Sequence, residues 1–352
     1  HPRDLFSGVC ELNSHNVAAS AEQNWVESEQ NWVASVSPLR VIDLTDPPDG
    51  PDAIAPDRIV VATGDPRDPA AEYWLQNATF TLVETECDDR RTVTVPSVPA
   101  ALDELTQRCQ HWPHAATVCD DVLRAVDVNA PALNGVITES LAYSTLQGGP
   151  EFARWLDERG PARPVEIPDP VVAQRIGDTL EIRFNRPRRH NAFSTDARAA
   201  LLEALTVALL DPGIDEVVLA GNGESFCSGG DLAEFGTLAE PASGHLARTR
   251  HSPALALDAL WQRLGTACRA EVHGQVLGSG LEMAAFCGHV ACHRDATLGL
   301  PELSLGLIPG AGGTVSITRR IGRWRTAYLV LSGRRLTAAT ALDWGLVDSL
   351  TV

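Results

Sequence analysis

Lysine is missing from this 352-residue chain, and all 28 of its basic side chains are arginine. We read that bias as the codon usage of a GC-rich genome, with no mechanism attached to it. Basic charge is also scarce beside acid, since 46 carboxylates leave a net charge of −18. Binding to nucleic acid needs a basic footprint, so this balance argues against a nucleic-acid partner. No C-x-x-C pair occurs among the eight cysteines, Cys10, Cys87, Cys109, Cys119, Cys227, Cys268, Cys287 and Cys292. Several of them sit in apolar segments, as free core cysteines do. The cluster Cys287, His289, Cys292 and His293 invites a zinc reading. Yet FCGHVACH reads as a helix end followed by a short strand, whose alternate side chains point apart, and no metal is expected. Nothing resembles a signal peptide, and no run is long and apolar enough to span a membrane. A cytoplasmic protein with no membrane partner is the expectation.

An apolar fraction of 44% is ordinary for a globular protein, and the length leaves room for two domains. Residues 1–38 read as an N-terminal tail with little periodicity. They contain EQNWV twice, at Glu22–Val26 and Glu29–Val33, a spacing that would put Trp25 and Trp32 on one helix face. A mobile tail is the competing reading, and because the chain begins with His1 its natural start is expected to lie elsewhere. Residues 39–160 read as a small α/β domain. Strand-like runs RVIDL, RIVVAT, TFTLVET and TVTVP precede helical patterns at Pro99–Gln110, Ala115–Val126 and Asn134–Leu156. This part carries no motif with chemistry, and Glu139, Tyr143 and Glu151 are expected to be solvated or packing residues. The proline-rich stretch at 161–172 reads as a semi-rigid linker. Residues 173–352 form the remaining unit.

Two glutamates stand out there. Glu282 is the only charged residue in GQVLGSGLEMAAFC, and Glu302 the only one in ATLGLPELSLGLIPGAGGTVSI. Carboxylates rarely enter apolar interiors unless they are paired, neutralised or used. Two of them beside glycine-rich turns suggest a dry pocket with acid–base chemistry. For either alone, a helix cap or a hydrogen-bonded core position is the plainer alternative. The turn Gly278–Ser279–Gly280 opens a buried helix from about Leu281 to Cys287. Its first N–H groups have no intrahelical partner and carry the positive end of the dipole, so they can hold a developing oxyanion. Upstream, a buried strand at Glu216–Ala220 leads into a loop ending Ser228-Gly229-Gly230-Asp231, which offers a second backbone donor.

Together these segments resemble the enoyl-CoA hydratase/isomerase (crotonase) family over roughly residues 176–352. The resemblance rests on LEIRFNRPRRHNAFS, DEVVLAGNGESFCSGGDL, HGQVLGSGLEMAAFC, LGLPELSLGLIPGAGGT and LSGRRLTAATALDWGLVD, in that order. It implies an α/β fold, a crotonase-like ββα spiral core here joined to the extra N-terminal α/β domain. It further implies that Gly230 and Ser279 supply the oxyanion-hole N–H groups, Ser279 standing where many members have glycine. Glu282 and Glu302 match the two glutamates of members that hydrate a 2-enoyl thioester, whereas double-bond isomerases commonly keep the second alone. Arg188, Arg189 and His190 lie where the family places basic residues near the coenzyme A nucleotide. The acidic surface repels phosphate at long range, so such a local cluster is needed. Asp231 matches a loop aspartate of structural role. No cofactor is implied beyond the coenzyme A of the substrate, and a homo-oligomer is expected.

The chain departs from the family in two further places. It ends at Val352 just after GLVDSL, where members continue with helices over the acyl pocket and into trimer contacts. The N-terminal domain is therefore expected to close the site, and the family's oligomeric state is left open. Gly288 replaces a common aspartate. The segment Leu238–Asp258, with His245 and His251, lies where the acyl-pocket loop varies. The resemblance thus implies an acyl-CoA enzyme, foremost a 2-enoyl-CoA hydratase. An isomerase or other acyl-CoA lyase or hydrolase is the alternative, and a non-catalytic partner subunit is the reading from a different class.

Overall fold

The structure, a computed structural model, describes residues 38–48, 59–237 and 240–352. The tail with Trp25 and Trp32 lies outside the described residues. The N-terminal half opens with strands β1 (Leu39–Asp43) and β2 (Ile59–Thr63), helix α1 (Glu72–Asn77), then β3 (Phe80–Val83) and β4 (Thr92–Thr94). These strands form one parallel sheet in sequence order. Helices α2 (Val98–His111), α3 (Pro113–Ala125), α4 (Ala132–Gln147) and α5 (Pro150–Arg159) follow. The single helix expected over Asn134–Leu156 is in fact α4 and α5. Gly148 ends the first, Gly149 precedes the second, and Pro150, which has no N–H to give, begins it.

The second half contains β5 (Val171–Ile176), β6 (Thr179–Phe184), α6 (Thr195–Leu210), β7 (Glu216–Gly221), α7 (Pro241–Arg250) and α8 (Pro253–Leu264). It continues with β8 (Cys268–Val272), β9 (Gln275–Leu277), α9 (Ser279–Ala284), β10 (His289–His293) and β11 (Thr297–Gly299). Helix α10 (Gly313–Ser332), β12 (Leu336–Thr337), α11 (Ala338–Asp343) and β13 (Ser349–Thr351) complete it. Six strands make a sheet in the order β13-β10-β8-β7-β6-β5, parallel except for β5 against β6. Strands β12, β11 and β9 make a smaller sheet. Burial follows the pleat. β6 buries alternate residues, while β7, covered on both faces, is buried from Val217 to Gly221. In β10, Val290 and Cys292 are buried and His289, Ala291 and His293 only partly so, as alternation requires.

The two halves share one apolar core, which runs from Leu39, Phe80 and Leu105 to Phe184, Leu298 and Val347. Helix α10 is its spine, packing on α2, α3 and α4 on one side and α9 on the other. Phe80 of β3 meets Tyr328 of α10 edge to face at 5.6 Å. Arg108 Nε donates to Leu331 O at 2.9 Å, and Arg323 Nη1 to Ala78 O at 3.0 Å. No helix among the described residues is long and apolar enough to cross a membrane.

Candidate active site

Two loops meet at the start of α9. Leu277 N–H donates to Cys227 O at 3.0 Å and Cys227 N–H to Gln275 O at 3.1 Å, so the Ser228–Asp231 loop runs beside β9. A buried ion pair locks that loop. Arg186, 2% exposed, donates from Nη2 to Asp231 Oδ2 at 2.8 Å, and Arg189 Nη2 donates to Oδ1 at 3.1 Å. Burial alone would raise the Asp231 carboxyl, but the bonds from Arg186 and Ala233 and the two guanidinium charges hold it below its usual value. Asp231 is accordingly a brace for the residue before it, Gly230. Neither the Gly230 N–H nor the Ser279 N–H donates to another group among the described residues. Ser279 is the first residue of α9, where an unpaired N–H is the rule.

Gly278, just before it, has φ +48°, and a Cβ there would lie 2.6 Å from Glu302 Oε1. Only glycine lets the turn and the carboxyl coexist. Both N–H groups border a cavity of about 310 Å³, together with Glu282 and Glu302. Val136, Tyr143 and Gln147 of α4 form another part of its wall, so the N-terminal half reaches the site.

Glu282 and Glu302 line the cavity, and a third carboxyl, Glu139, bonds its wall segment without lining it. Glu282, 2% exposed, accepts from the N–H groups of Ala311 at 2.7 Å and Gly313 at 2.8 Å, both on Oε2. Glu139 of α4, 1% exposed, accepts from Gly312 N–H at 2.7 Å on Oε1. Its Oε2 takes Thr314 N–H at 2.9 Å and Thr314 Oγ1 at 2.6 Å. The start of α10, with its unpaired donors and positive dipole end, thus faces two carboxylates. Glu302 Oε2 is buried and has no partner among the described residues. Burial raises all three groups above the usual carboxylate range, Glu139 to about 7 and Glu302 to about 8. The Glu139 charge adds to the rise of Glu302, and the charges of Glu139 and Glu302 to that of Glu282, against which the Ala311 and Gly313 N–H groups act. Burial also pushes the Tyr143 phenol up, so it is a neutral hydroxyl.

Glu139, which the sequence alone made a solvated or packing residue, is fully buried and bonds Gly312 of the cavity wall, though it does not itself line the cavity. A signal for it existed. Glu139 is the only charged residue from Val128 to Pro150, the same isolation that singled out Glu282 and Glu302. Glu151 is likewise buried, but it caps α3 through the N–H groups of His114 and Ala115 at 2.8 and 3.0 Å, outside the cavity wall. Arg188, Arg189 and His190 do not line the cavity. Arg189 is held by Asp231, His190 Nδ1 lies 3.0 Å from Ser225 Oγ, and Arg188 is exposed without a partner among the described residues. Of the two loop histidines, His251 lines the cavity, while His245 Nδ1 lies 3.0 Å from Ser140 Oγ on α4.

A sequence model of the enoyl-CoA hydratase/isomerase family matches residues 176–351. The 2,3-dehydroadipyl-CoA hydratase of Escherichia coli is 34% identical over 180 residues, covering 51% of this chain and 68% of that protein. The mevalonyl-coenzyme A hydratase of Aspergillus fumigatus is 35% identical over 170 residues, covering 48% of this chain and 61% of that protein. Among solved structures, an enoyl-CoA hydratase from Thermoplasma volcanium is 31% identical with a TM-score of 0.45, covering 52% of this chain and 71% of that one. The chain therefore spans about two thirds of the length of these relatives. With the family's model matching half of its length, the chain belongs to the enoyl-CoA hydratase/isomerase family.

Proposed function

We propose that the chain adds water across the double bond of a 2-enoyl-CoA, giving a 3-hydroxyacyl-CoA. The observation that carries this reading is the pairing of Glu282 and Glu302 on one cavity with two N–H groups that have no partner among the described residues. The Gly230 and Ser279 N–H groups bind the thioester oxygen and stabilise the enolate-like transition state, each worth roughly 10²–10³ in rate. Mutual repulsion keeps the buried carboxyls from ionising together, so protonated and charged forms coexist near neutral pH. Donors favour charge on Glu282, whose Oε2 takes two N–H bonds, while Glu302 Oε2 takes none. Glu282 then accepts the proton of the water attacking the β-carbon, and Glu302 delivers a proton to the α-carbon. Such groups typically contribute about 10²–10⁴ each.

Coenzyme A is held in part by Arg188, whose exposed guanidinium is available to phosphate. Helix α4 roofs the acyl end through Val136 and Tyr143. The test is the loss of conjugated thioester absorbance with crotonyl-CoA and with a longer 2-enoyl-CoA, for wild type and Glu302→Gln. Turnover that the substitution abolishes supports the reading. Binding of both thioesters without turnover would instead point to another acyl-CoA reaction or a non-catalytic role.

A further inference from the structure

We propose that Arg198 recognises an anionic oxygen at the far end of the acyl group, so that the substrates are acyl-CoA thioesters ending in a carboxylate. The inference rests on the cavity being the acyl-thioester site and names the class of acyl group it takes.

Arg198 lies in the first turns of α6 and lines the same cavity as Glu282 and Glu302. It is partly buried, yet its guanidinium makes no hydrogen bond or ion pair among the described residues. Glu234 is the one acidic charge that acts on it, and its Oε2 is already taken by Thr195 N–H at 2.7 Å and Thr195 Oγ1 at 2.9 Å, while the Arg198 and Arg248 charges repel one another. Burial pushes the Arg198 guanidinium down from its usual value, a cost that an anionic partner would remove. Five fixed N–H donors without an acceptor in a cavity wall call for one from a ligand, and a carboxylate matches the guanidinium fork.

Arg248, on the same wall, shows the contrast. Its Nε donates to Ser140 Oγ at 2.9 Å, Nη1 to Gln147 Oε1 at 3.2 Å, and Nη2 to Ser144 Oγ, and it stacks on Tyr143 at 4.5 Å. That arginine rivets α7 to α4, whereas Arg198 is left open. His251, on the same cavity wall, is exposed and its ring makes no bond among the described residues, so it adds a second donor.

A phosphate of coenzyme A carries the same anionic oxygen, so the experiment separates the two. Binding of adipoyl-CoA and hexanoyl-CoA, saturated thioesters of equal chain length, is measured by calorimetry on the full chain and on Arg198→Gln. The expected result is that wild type prefers adipoyl-CoA by at least about tenfold and that Arg198→Gln loses the preference, with unchanged melting as the folding control. No preference in wild type, or a preference kept by the variant, overturns the proposal. Equal weakening of both ligands by the substitution, disappearing with their 3′-dephospho forms, assigns Arg198 to phosphate and overturns it too. Neither ligand turns over by hydration, so a failure of the hydratase reading leaves this measurement interpretable.

Discussion

Glu139 and Glu282 divide one turn of backbone between them. The N–H groups of Ala311 and Gly313 go to Glu282, and those of Gly312 and Thr314 to Glu139. A residue of the N-terminal half thereby fixes the segment that holds the proposed base, and its charge reaches the other two carboxyls.

The first prediction concerns Glu139→Gln. Removing this charge lowers the pKa of both Glu282 and Glu302, because Glu139 is among the causes of each rise. The limb of the kcat/KM profile set by the Glu302 acid should move to lower pH, with KM little changed. A profile measured from pH 5 to 10 that stays in place would show that Glu139 only packs.

Stability should depend on the same groups. Glu139 and Glu302 have an ordinary value of 4.5 and folded values of about 7 and about 8. Between those values the folded state holds more protons than the unfolded one, so stability falls as pH rises from about 4.5 through about 8, at up to about 1.4 kcal/mol per pH unit per group. Denaturant midpoints at pH 5 and pH 9 should differ in wild type and differ less in Glu302→Gln. Equal midpoints in wild type would contradict the burial argument.

Gly278→Ala should be far more damaging than Ser279→Gly. The added Cβ would meet Glu302 Oε1 at 2.6 Å on a backbone with φ +48°, displacing the proposed acid. Turnover should drop about 10²-fold or more, the scale of losing an acid–base group. Ser279→Gly keeps the backbone donor and should stay within a few-fold of wild type. Turnover of Gly278→Ala within a few-fold of wild type would contradict the role given to Glu302 against this turn.

Asp231→Ala leaves Arg186 buried with no countercharge, since both are 2% exposed. Breaking a buried pair from one side costs about 3–5 kcal/mol. Urea denaturation should register that loss; a change below about 1 kcal/mol would mean that the pair does not brace the Gly230 loop.

Much of the site was legible because its residues break a local pattern. Glu282 and Glu302 are single charges in apolar runs, and the glycines around them mark turns. Strand and helix positions in the N-terminal half followed from alternation and helical spacing, but Gly148-Gly149-Pro150 splits one expected helix into two. What could not be read was long-range pairing. The Gly312–Glu139 bond joins residues 173 positions apart, and no local pattern encodes which helix end a lone glutamate will cap. Arg198 has no signature at all in STDARAAL, since only the absence of a partner among the described residues distinguishes it.

The most direct test of the two-carboxylate account is incubation of crotonyl-CoA in ¹⁸O-labelled water with wild type, Glu282→Gln and Glu302→Gln, followed by mass spectrometry of the product. The account predicts one ¹⁸O in a 3-hydroxyacyl-CoA from wild type and almost none from either variant. Label incorporated at the wild-type rate by Glu282→Gln would contradict it, because the proposed base would then be dispensable.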